Sequence, residues 1–493
     1  METELKFSLS PETRARIERH AGALPVDGGL STEAQSTTYF DTPRRKLRKA
    51  GFSLRVRQSA DKFVQTVKLA SNGAFHRQEW EWPVASDEPD LRRLAEVPKL
   101  RALCKEGLEP VFRTDIDRTR VELLPASGTR MELAVDVGTV KAGDASESVS
   151  ELELELKDGE VDSLFRLGLD LLEVAPLVIS GESKAQRGYR LRDGTRPAAH
   201  KPNRVTLHRT VCVQEAFARL SDALLDGLLA NQPAVLRGDE GEGIHQMRIG
   251  IRRLRSLLAL FEPFLESHAA ARFADELRRL GQVLGVARDW DVFLAESLPA
   301  VIVTAADLKT IEPLRAAAVE RRHAAHQAAK KAVQEPSFTR FMLAFGAWSH
   351  SVEATMPNRF GARRLKEMAP AMLDKLARKV RKRRAASDPD ELETLHALRK
   401  SAKKLRYAIE YFDSLYGAES GRYYKRYATL QKRLGELNDL VTLQRLSEEL
   451  AADRLELVPA LAVLENRSGA LVGQAVDHLD KPLARVQREK PFW

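Results

Sequence analysis

The sequence predicts two structural classes in one chain: an α+β N-terminal domain built on an antiparallel sheet, followed by an all-α domain. Polar and apolar residues alternate over short runs through roughly the first 195 residues, which is the period of strands. Beyond Val205 the apolar residues recur at helical spacing almost to the end. Between these parts, TRPAAHKPN at residues 195–203 contains two prolines and has neither period, which indicates a boundary.

The domain limits follow from this change of period. We expect an N-terminal domain over residues 1–197, a linker over 198–204 and a helical domain over 205–493. The helical domain contains an internal repeat, because HQMRIGIRRLR beginning at His245 recurs as HALRKSAKKLR beginning at His396, each followed by a further LG and Asp. We expect two related helical bundles, over about 205–350 and 357–493.

Composition excludes several classes of protein. With 493 residues, 43% of them hydrophobic, the chain is long enough for more than one buried core and is neither fibrous nor disordered. Its two cysteines, Cys104 and Cys212, cannot form a disulfide framework or a four-thiolate zinc site. The acidic start at Glu2 and Glu4 is unlike a signal peptide, and no window reaches about 18 continuous apolar residues. We expect a cytoplasmic protein without a membrane span.

The formal charge of +9 is unevenly distributed. Residues 1–200 hold 31 basic and 33 acidic side chains, whereas residues 201–493 hold 48 basic and 37 acidic ones. Such an excess of basic side chains in one part of a chain favours binding of a polyanion. Nucleic acid, a membrane surface and a phosphate polymer all fit that description.

The predicted strands carry charged residues on one face. In ETELK at residues 2–6, the two glutamates and the lysine lie on the same side, because alternate side chains of a strand share a face. ELELELK at residues 151–157 likewise places three carboxylates on one face and three leucines on the other. A solvated outer face would tolerate such rows, but other strands repeat the pattern. The further sets on one face are Arg55 with Arg57, Thr66 with Lys68, Arg77 with Glu79 and Glu81, Arg118 with Arg120, and Glu132 with Asp136.

A row of carboxylates repels itself unless water or a cation separates the charges. Mg²⁺ and Mn²⁺ prefer oxygen ligands of this kind. If the sheet closes with these residues inside, its interior is a polar cavity rather than an apolar core. The ligand should then be an oxygen-rich anion that is bound partly through metal.

Seven motifs in order through residues 1 to about 195 resemble the CYTH domain of the triphosphate tunnel metalloenzymes. They are ExExK at 2–6, YFDT at 39–42, LRKAGFSLRVR at 47–57, TVK at 66–68, Glu132 with Asp136, ELELELK at 151–157 and SKAQRGY at 183–189. The resemblance implies a closed antiparallel barrel of about eight strands, a tunnel that binds triphosphate, and a divalent metal, Mg or Mn, on the acids.

The resemblance also implies the roles of individual residues. Catalytic roles fall on Glu2, Glu4 and Lys6. The implied metal ligands are Glu2, Glu4, Glu132, Asp136, Glu151, Glu153 and Glu155. The implied triphosphate-binding residues are Arg55, Arg57, Lys68, Arg118, Arg120, Lys184 and Arg187.

The repeated helical segments each carry a basic stripe. His245, Arg248, Arg252 and Arg255 lie within a narrow arc of a helix, and the segment at His396 reproduces that arrangement. A solvated helix face would explain one such stripe, but like charges one turn apart destabilise a helix, and here they occur twice. Neither histidine has a cysteine or a second histidine at ligand spacing, which disfavours zinc.

This repeated pattern, HxxRxxxRRLR and HxxRxxxKKLR with the LG and Asp that follow, resembles the CHAD domain, which is often fused to CYTH. The resemblance covers about residues 205–493 and implies binding of inorganic polyphosphate. The implied polyphosphate-binding residues are His245, Arg248, Arg252, Arg253, Arg255, His396, Arg399, Lys400, Lys403, Lys404 and Arg406. RKVRKRR at 378–384 adds further charge. No nucleic-acid module is recognisable, which disfavours nucleic acid as the partner.

Together these features predict an inorganic triphosphatase that produces pyrophosphate and phosphate, with a helical domain that binds polyphosphate and associates with polyphosphate granules. Two alternatives remain open at this point. One is a protein that binds and targets phosphate chains without cleaving them. The other is a hydrolase or cyclase that acts on an organic triphosphate such as thiamine triphosphate or ATP.

Overall fold

The computed structural model describes residues 2–22, 26–69, 76–97, 99–124, 128–202, 204–351, 355–356, 358–388, 391–452, 454–487 and 491–493. The chain divides into two compact units. The first comprises Met1–Arg204, Ser221–Met247 and Ala332–Ser351. The second comprises Val205–Leu220, Arg248–Lys331 and Val352–Trp493.

Among the residues that the structure describes, nine strands form one antiparallel sheet in the first unit. They are β1 (Glu2–Ser8), β2 (Val26–Asp41), β3 (Phe52–Ser59), β4 (Lys62–Leu69), β5 (His76–Val84), β6 (Glu109–Leu123), β7 (Arg130–Ala142), β8 (Ala145–Asp158) and β9 (Val178–Ile179). The spatial order is β5-β4-β3-β2-β6-β7-β8-β1-β9. Consecutive strands are mostly neighbours, as expected for hairpin connections.

The expected closed barrel of about eight strands is wrong, because the structure has an open antiparallel sheet. Within the described residues, β5 meets β1 through two residue pairs, Glu2 with Arg77 and Thr3 with His76. The other end of the same edge of β1 pairs with β9, through Phe7 with Ile179 and Ser8 with Val178. In the described part of the chain, this edge of β1 is therefore divided between two short partners, and no continuous ladder closes the sheet.

The two faces of the sheet differ as the alternation predicts. Leu152 and Leu154 of β8 are fully buried and face helix α5, which is Val161–Val174 and packs against β8 and β1. The glutamates that alternate with these leucines along β8 point to the opposite face, because successive side chains of a strand alternate. The apolar packing thus leaves the carboxylates on the polar face.

The helices of the chain begin with short segments and continue with long ones. They are α1 (Pro11–Ala21), α2 (Lys46–Lys49), α3 (Leu91–Leu94), α4 (Leu100–Leu103), α5, α6 (Lys184–Asp193), α7 (Val213–Arg237), α8 (Glu240–Phe261), α9 (Ser267–Val292), α10 (Leu298–Val301), α11 (Ala305–Gln334) and α12 (Pro336–His350). Further helices are Asn358–Gly361, Leu365–Ala385, Leu392–Tyr411, Asp413–Tyr416, Ala418–Ala451, Val458–Asp477 and Asp480–Gln487. Turns of 3-10 helix span Cys104–Glu106 and Leu455–Leu457, and a π-helical segment spans Phe293–Ser297. In the part that the structure describes, none of these helices has the length and apolar content needed to cross a membrane.

The β-rich part followed by an all-helical part confirms the predicted order of classes. The domain limits 1–197, 198–204 and 205–493 stay a prediction. The packing follows a different division, in which residues 221–247 and 332–351 group with the sheet. The division of the helical part into two bundles also stays a prediction. Its sequence repeat nevertheless lies on two helices, α8 and the helix Leu392–Tyr411.

Candidate functional site

Strand register brings the predicted acids together on one face. Between β7 and β8, Glu132 lies opposite Glu155 and Asp136 lies opposite Glu151. Between β1 and β8, Lys6 lies opposite Glu153. Residues that lie directly opposite each other in an antiparallel pair share a face. The acids of three strands therefore line the same polar face.

Three carboxylates form a compact cluster on this face. One oxygen each from Asp136, Glu151 and Glu153 lies within 4.8 Å of the other two. Asp136 is fully buried, and Glu151 is 3% exposed. The Lys184 Nζ atom lies 2.6 Å from Asp136 and 3.0 Å from Glu153, and it also contacts Glu151. Lys184 is held there because α6 begins at a capping box formed by Ser183 and its third helical residue.

Two more cations surround the same carboxylates. Arg118 of β6 donates to both oxygens of Asp136, through Nε at 2.7 Å and Nη2 at 2.6 Å, and it also contacts Glu153. Lys6 contacts Glu153 and lies 3.0 Å from Glu4. Bidentate arginine pairs of this kind fix orientation as well as charge.

Charge pairing sets the ionisation of this cluster. Burial opposes ionisation of Glu153, but Lys184, Lys6 and Arg118 outweigh it and hold the pKa of Glu153 well below its usual value. Burial likewise opposes ionisation of Asp136, whose pKa is lowered by Lys184 and Arg118. The pKa of Lys184 is raised, because the three carboxylates outweigh its burial. Asp136, Glu153 and Lys184 therefore carry their charges near neutral pH.

The carboxylate cluster fits a divalent metal by its donor chemistry. Three carboxylates that converge within 4.8 Å, two of them buried, present the hard oxygen ligands that Mg²⁺ and Mn²⁺ prefer. Asp136, Glu151 and Glu153 would hold the ion. The same oxygens contact Lys184, so a divalent cation and this ammonium group compete for them.

The predicted basic strands face carboxylates that the sequence did not single out as site residues. On β3 and β4, Arg55 lies 3.7 Å and Lys68 lies 3.3 Å from Glu79 of β5. Arg57 lies 3.8 Å from Glu81, which also accepts a hydrogen bond from Thr66. A signal was present, because Glu79 and Glu81 alternate along β5 as the assigned acids do along β8.

The basic strands and the carboxylate cluster lie within electrostatic range of each other. Burial lowers the pKa of Arg57, and repulsion by Arg55 and by Arg118 lowers it further. Arg118 is the same residue that holds Asp136. The cations of β3 and of β6 therefore share one polar face rather than two separate surfaces.

Other predicted residues lie apart from the cluster. Glu132 and Glu155 share Lys157, at 3.7 Å and 2.8 Å, one step further along β7 and β8. Arg120 is exposed and lies opposite Ala134 in the register. Glu2 pairs through its backbone with Arg77, but its side chain lies outside the described part of the structure.

Arg187 lies behind the cluster, on the second turn of α6. It is 7% exposed, and its guanidinium lies 3.7 Å from Glu151 and 3.4 Å from Glu147. The N-terminal half of α6 therefore presents two cations, Lys184 and Arg187, to the acidic strands β7 and β8. This explains the spacing in SKAQR, because residues three apart lie on one side of a helix.

The second unit contains a separate basic cluster. Arg248 of α8 donates to the Gly285 carbonyl at 2.7 Å and to Asp289 at 2.8 Å. On the helix Leu392–Tyr411, Arg399 lies 3.4 Å from the side-chain oxygen of Asn438. Arg248 and Arg399 occupy equivalent positions of the sequence repeat, and their contacts are also similar. In each case the arginine lies beside a residue of the LG and Asp segment that follows.

Two arginines of this basic cluster donate to neutral hydroxyl groups. Arg252 donates to the Tyr407 hydroxyl, at 3.5 Å, and Arg406 donates to the Tyr424 hydroxyl, at 2.7 Å. Burial, followed by repulsion from Arg399, Arg252, Arg248 and Arg406, lowers the pKa of Lys403 to about 6. Burial and nearby positive charge both disfavour the protonated form of a lysine.

The other predicted polyphosphate residues occupy varied positions. Arg253 contacts Glu410 and is mostly buried. The His396 Nδ1 atom donates a hydrogen bond to the side-chain oxygen of Asn438, at 3.0 Å, and burial together with Lys400 lowers the pKa of His396. Arg255, Lys400 and Lys404 are exposed, and His245 lies on α8 within the first unit.

Comparison with known proteins identifies both parts of the chain. The CYTH domain profile matches residues 1–189, and the CHAD domain profile matches residues 219–448. The chain is a CYTH–CHAD fusion. This confirms the resemblance carried by the strand and helix motifs.

Relatives of the CYTH–CHAD chain cover it to different extents. An inorganic triphosphatase of Haemophilus influenzae is 31% identical over 202 residues, which is 38% of this chain and 54% of that protein. The chain therefore spans about half the length of that relative. An uncharacterized protein of Mycobacterium tuberculosis is 28% identical over 438 residues, 83% of this chain and 81% of that one. The crystal structure of the CHAD domain from Ricinus communis is 32% identical, with a TM-score of 0.52, and covers 58% of this chain and 96% of its own.

Proposed function

We propose that the CYTH part hydrolyses inorganic triphosphate to pyrophosphate and phosphate with the help of a divalent metal, Mg²⁺ or Mn²⁺. The observation that carries this proposal is the convergence of Asp136, Glu151 and Glu153 within 4.8 Å beside three cations, Arg118, Lys6 and Lys184, from three other elements. A site for anions alone has no use for buried carboxylates. A site that binds both a cation and a polyanion needs both kinds of side chain.

The chain's own residues bind and orient the substrate in this proposal. Arg55, Arg57 and Lys68 of β3 and β4 bind phosphate oxygens on one side, and Arg118 binds them from β6. Lys184 and Arg187 bind from α6, and Lys184 exchanges its carboxylate contacts for phosphate contacts. A bound metal supplies charge neutralisation and an activated water. Phosphoryl transfer depends mainly on such positioning and charge stabilisation, which suits a site of charged side chains.

Lys6 and Glu4 complete the carboxylate side of the proposed site. Lys6 contacts Glu153 and lies 3.0 Å from Glu4, so it keeps both carboxylates oriented toward the polar face. We assign a supporting catalytic role to Glu2, Glu4 and Lys6. Glu132, Glu155 and Arg120 are assigned to the outer part of the same face.

A substrate panel tests the activity. Phosphate release is measured with inorganic triphosphate, ATP, thiamine triphosphate and long polyphosphate, with and without Mg²⁺ or Mn²⁺. We expect metal-dependent release that is fastest from inorganic triphosphate. Release that is fastest from ATP or thiamine triphosphate would mean an organic substrate, and no release from any compound would leave a binding protein.

A second function is supported by the basic cluster of the helical part. We propose that Arg248, Arg252, Arg399, Lys403 and Arg406 bind inorganic polyphosphate, because these partly buried cations lie close enough together to repel one another. His245, Arg253, Arg255, His396, Lys400 and Lys404 are assigned to the margins of that site. Such binding would hold the protein at cytoplasmic polyphosphate granules.

Retention on immobilised polyphosphate tests this second function. The Arg252→Gln, Arg399→Gln double variant should lose retention at physiological salt and keep its rate of triphosphate turnover. Binding of polyanions falls with the number of cations removed and with added salt. Undiminished retention of the double variant would overturn the assignment of the cluster.

A further inference from the structure

An ion-pair network connects helix α7 to helix α6. Glu182, which lies just before α6, is 5% exposed and accepts from Arg190 at 2.8 Å. It also accepts from Arg237, the last residue of α7, at 2.7 Å. Arg237 comes from the helical half of the sequence, but it belongs to the same compact unit as the sheet.

A second carboxylate belongs to the same network. Glu147 of β8 lies 2.6 Å from Arg190 and 3.6 Å from Arg237. Arg187 approaches both carboxylates, at 3.4 Å from Glu147 and 4.0 Å from Glu182. Three arginines therefore share two carboxylates.

Arg187 is the member of the network that also faces the proposed triphosphate site. Its Nη2 atom lies 3.7 Å from Glu151, whereas its Nε atom is the one that approaches Glu147. Its Nη1 atom donates to the Ser148 carbonyl at 3.3 Å, while its buried Nε makes no hydrogen bond within the described residues. Its orientation therefore depends strongly on the balance of charge between Glu151 and the shared carboxylates.

The backbone holds α7 close to this network. A Cβ atom placed on Gly181 would lie 2.1 Å from the Leu229 carbonyl oxygen, so only glycine permits the approach of α7 to the segment before α6. On the same side, the Ile179 amide donates to the Thr339 hydroxyl of α12 at 3.0 Å. The position of Arg237 relative to Glu182 is thus set by rigid elements.

We propose that Arg237 is a positioning residue for the triphosphate site, acting through Glu182 and Glu147 to keep Arg187 directed toward Glu151 and the substrate. This inference rests on the proposed triphosphate-binding function. With Arg237 in place, the two shared carboxylates are neutralised without Arg187. Without Arg237, their uncompensated charge draws Arg187 away from Glu151. The helical half of the sequence then contributes directly to substrate affinity in the CYTH part.

The test compares Arg237→Gln with Arg340→Gln as a matched control. Arg340 of α12 pairs with Glu173 of α5 at 2.6 Å, which is another ion pair between a later helix and the N-terminal part, but it lies outside the network. We expect Arg237→Gln to raise the KM for triphosphate roughly three- to tenfold, with kcat changed less than about twofold, which is the size of one lost interaction between charged groups. Arg340→Gln should leave both constants within about twofold, and Arg237→Lys should recover most of the lost affinity.

A double-mutant cycle tests whether the effect passes through Arg187. In an Arg187→Gln background, Arg237→Gln should change the KM less than about twofold, because the residue through which it acts is gone. Additive effects, or an equal loss in Arg237→Gln and Arg340→Gln, would overturn the proposal. Thermal unfolding of every variant separates misfolding from mispositioning.

A binding measurement separates this proposal from the proposed catalysis. The affinity of each variant for triphosphate is measured by calorimetry as well as by turnover. If the wild type binds triphosphate without cleaving it, the catalytic proposal fails, and weaker binding by Arg237→Gln still supports the positioning role. Equal binding by the wild type and Arg237→Gln would overturn that role.

Discussion

Lys403 is an unusual residue in this chain, because its surroundings remove its charge. Burial and four neighbouring arginines lower its pKa to about 6, so it is mostly neutral at pH 7.5 without a ligand. Asp439 is near Arg399, but its own pKa is raised by burial and by Glu296 and Asp289. A bound polyanion would compensate the arginines and restore the proton on Lys403.

This restored proton gives a pH dependence with a definite sign. Protonation of Lys403 accompanies binding, so the affinity for polyphosphate should rise as pH falls from 8 toward 6. Calorimetry in two buffers of different ionisation enthalpy should show proton uptake at pH 7.5. The Lys403→Met variant should lose most of this uptake.

The neighbouring exposed residue Lys400 provides the control for Lys403. Lys400→Met should weaken binding slightly and keep the proton uptake. If proton uptake persisted unchanged in Lys403→Met, the account of this lysine would be wrong.

At the scale of elements, the approach of α7 to the segment before α6 depends on Gly181. In Gly181→Ala the new methyl group would meet the Leu229 carbonyl, so one of two rigid elements must move. We expect the free energy of unfolding to fall by about 1–3 kcal/mol, as for other overpacked contacts. Urea unfolding of the full chain measures it.

Gly227, on α7 itself, is the control for that substitution. A Cβ atom placed there meets nothing within 4 Å. Gly227→Ala should therefore raise the free energy of unfolding by roughly 0.5–1 kcal/mol, because alanine favours a helix over glycine. An equal fall in the free energy of unfolding from both substitutions would mean that the close contact at Gly181 is not the cause of the loss.

The sequence predicted the strand faces well, because alternation is a local property. ELELELK placed Leu152 and Leu154 in the core and Glu151 and Glu153 on the polar face, as the structure has them. The family resemblance implied that Lys184 binds triphosphate, but its contact with those acids was not predicted, since α6 is distant in sequence from β7. Glu147, Glu182 and Arg237 had no local signal that distinguishes them from ordinary surface charges.

Properties of the whole molecule were harder to predict than its elements. The open sheet results from how the edge of β1 is shared between β5 and β9, and β9 has only two residues, too few to show a period. The change from strand to helix period near residue 200 marks a change of secondary structure. It does not mark the boundary between the two compact units, because residues 221–247 and 332–351 belong to the first unit.

The central claim is that the carboxylates of β7 and β8 and the cations around them form one site for metal-assisted cleavage of triphosphate. The most direct measurement is ³¹P NMR of inorganic triphosphate incubated with Mg²⁺ and the full chain, with Glu151→Gln as the comparison and Arg252→Gln as a control outside the site. We expect pyrophosphate and phosphate in equal amounts from the wild type and the control, and at least about a hundredfold slower conversion by Glu151→Gln. Intact triphosphate in the wild-type sample, or equal conversion by Glu151→Gln, would contradict the account.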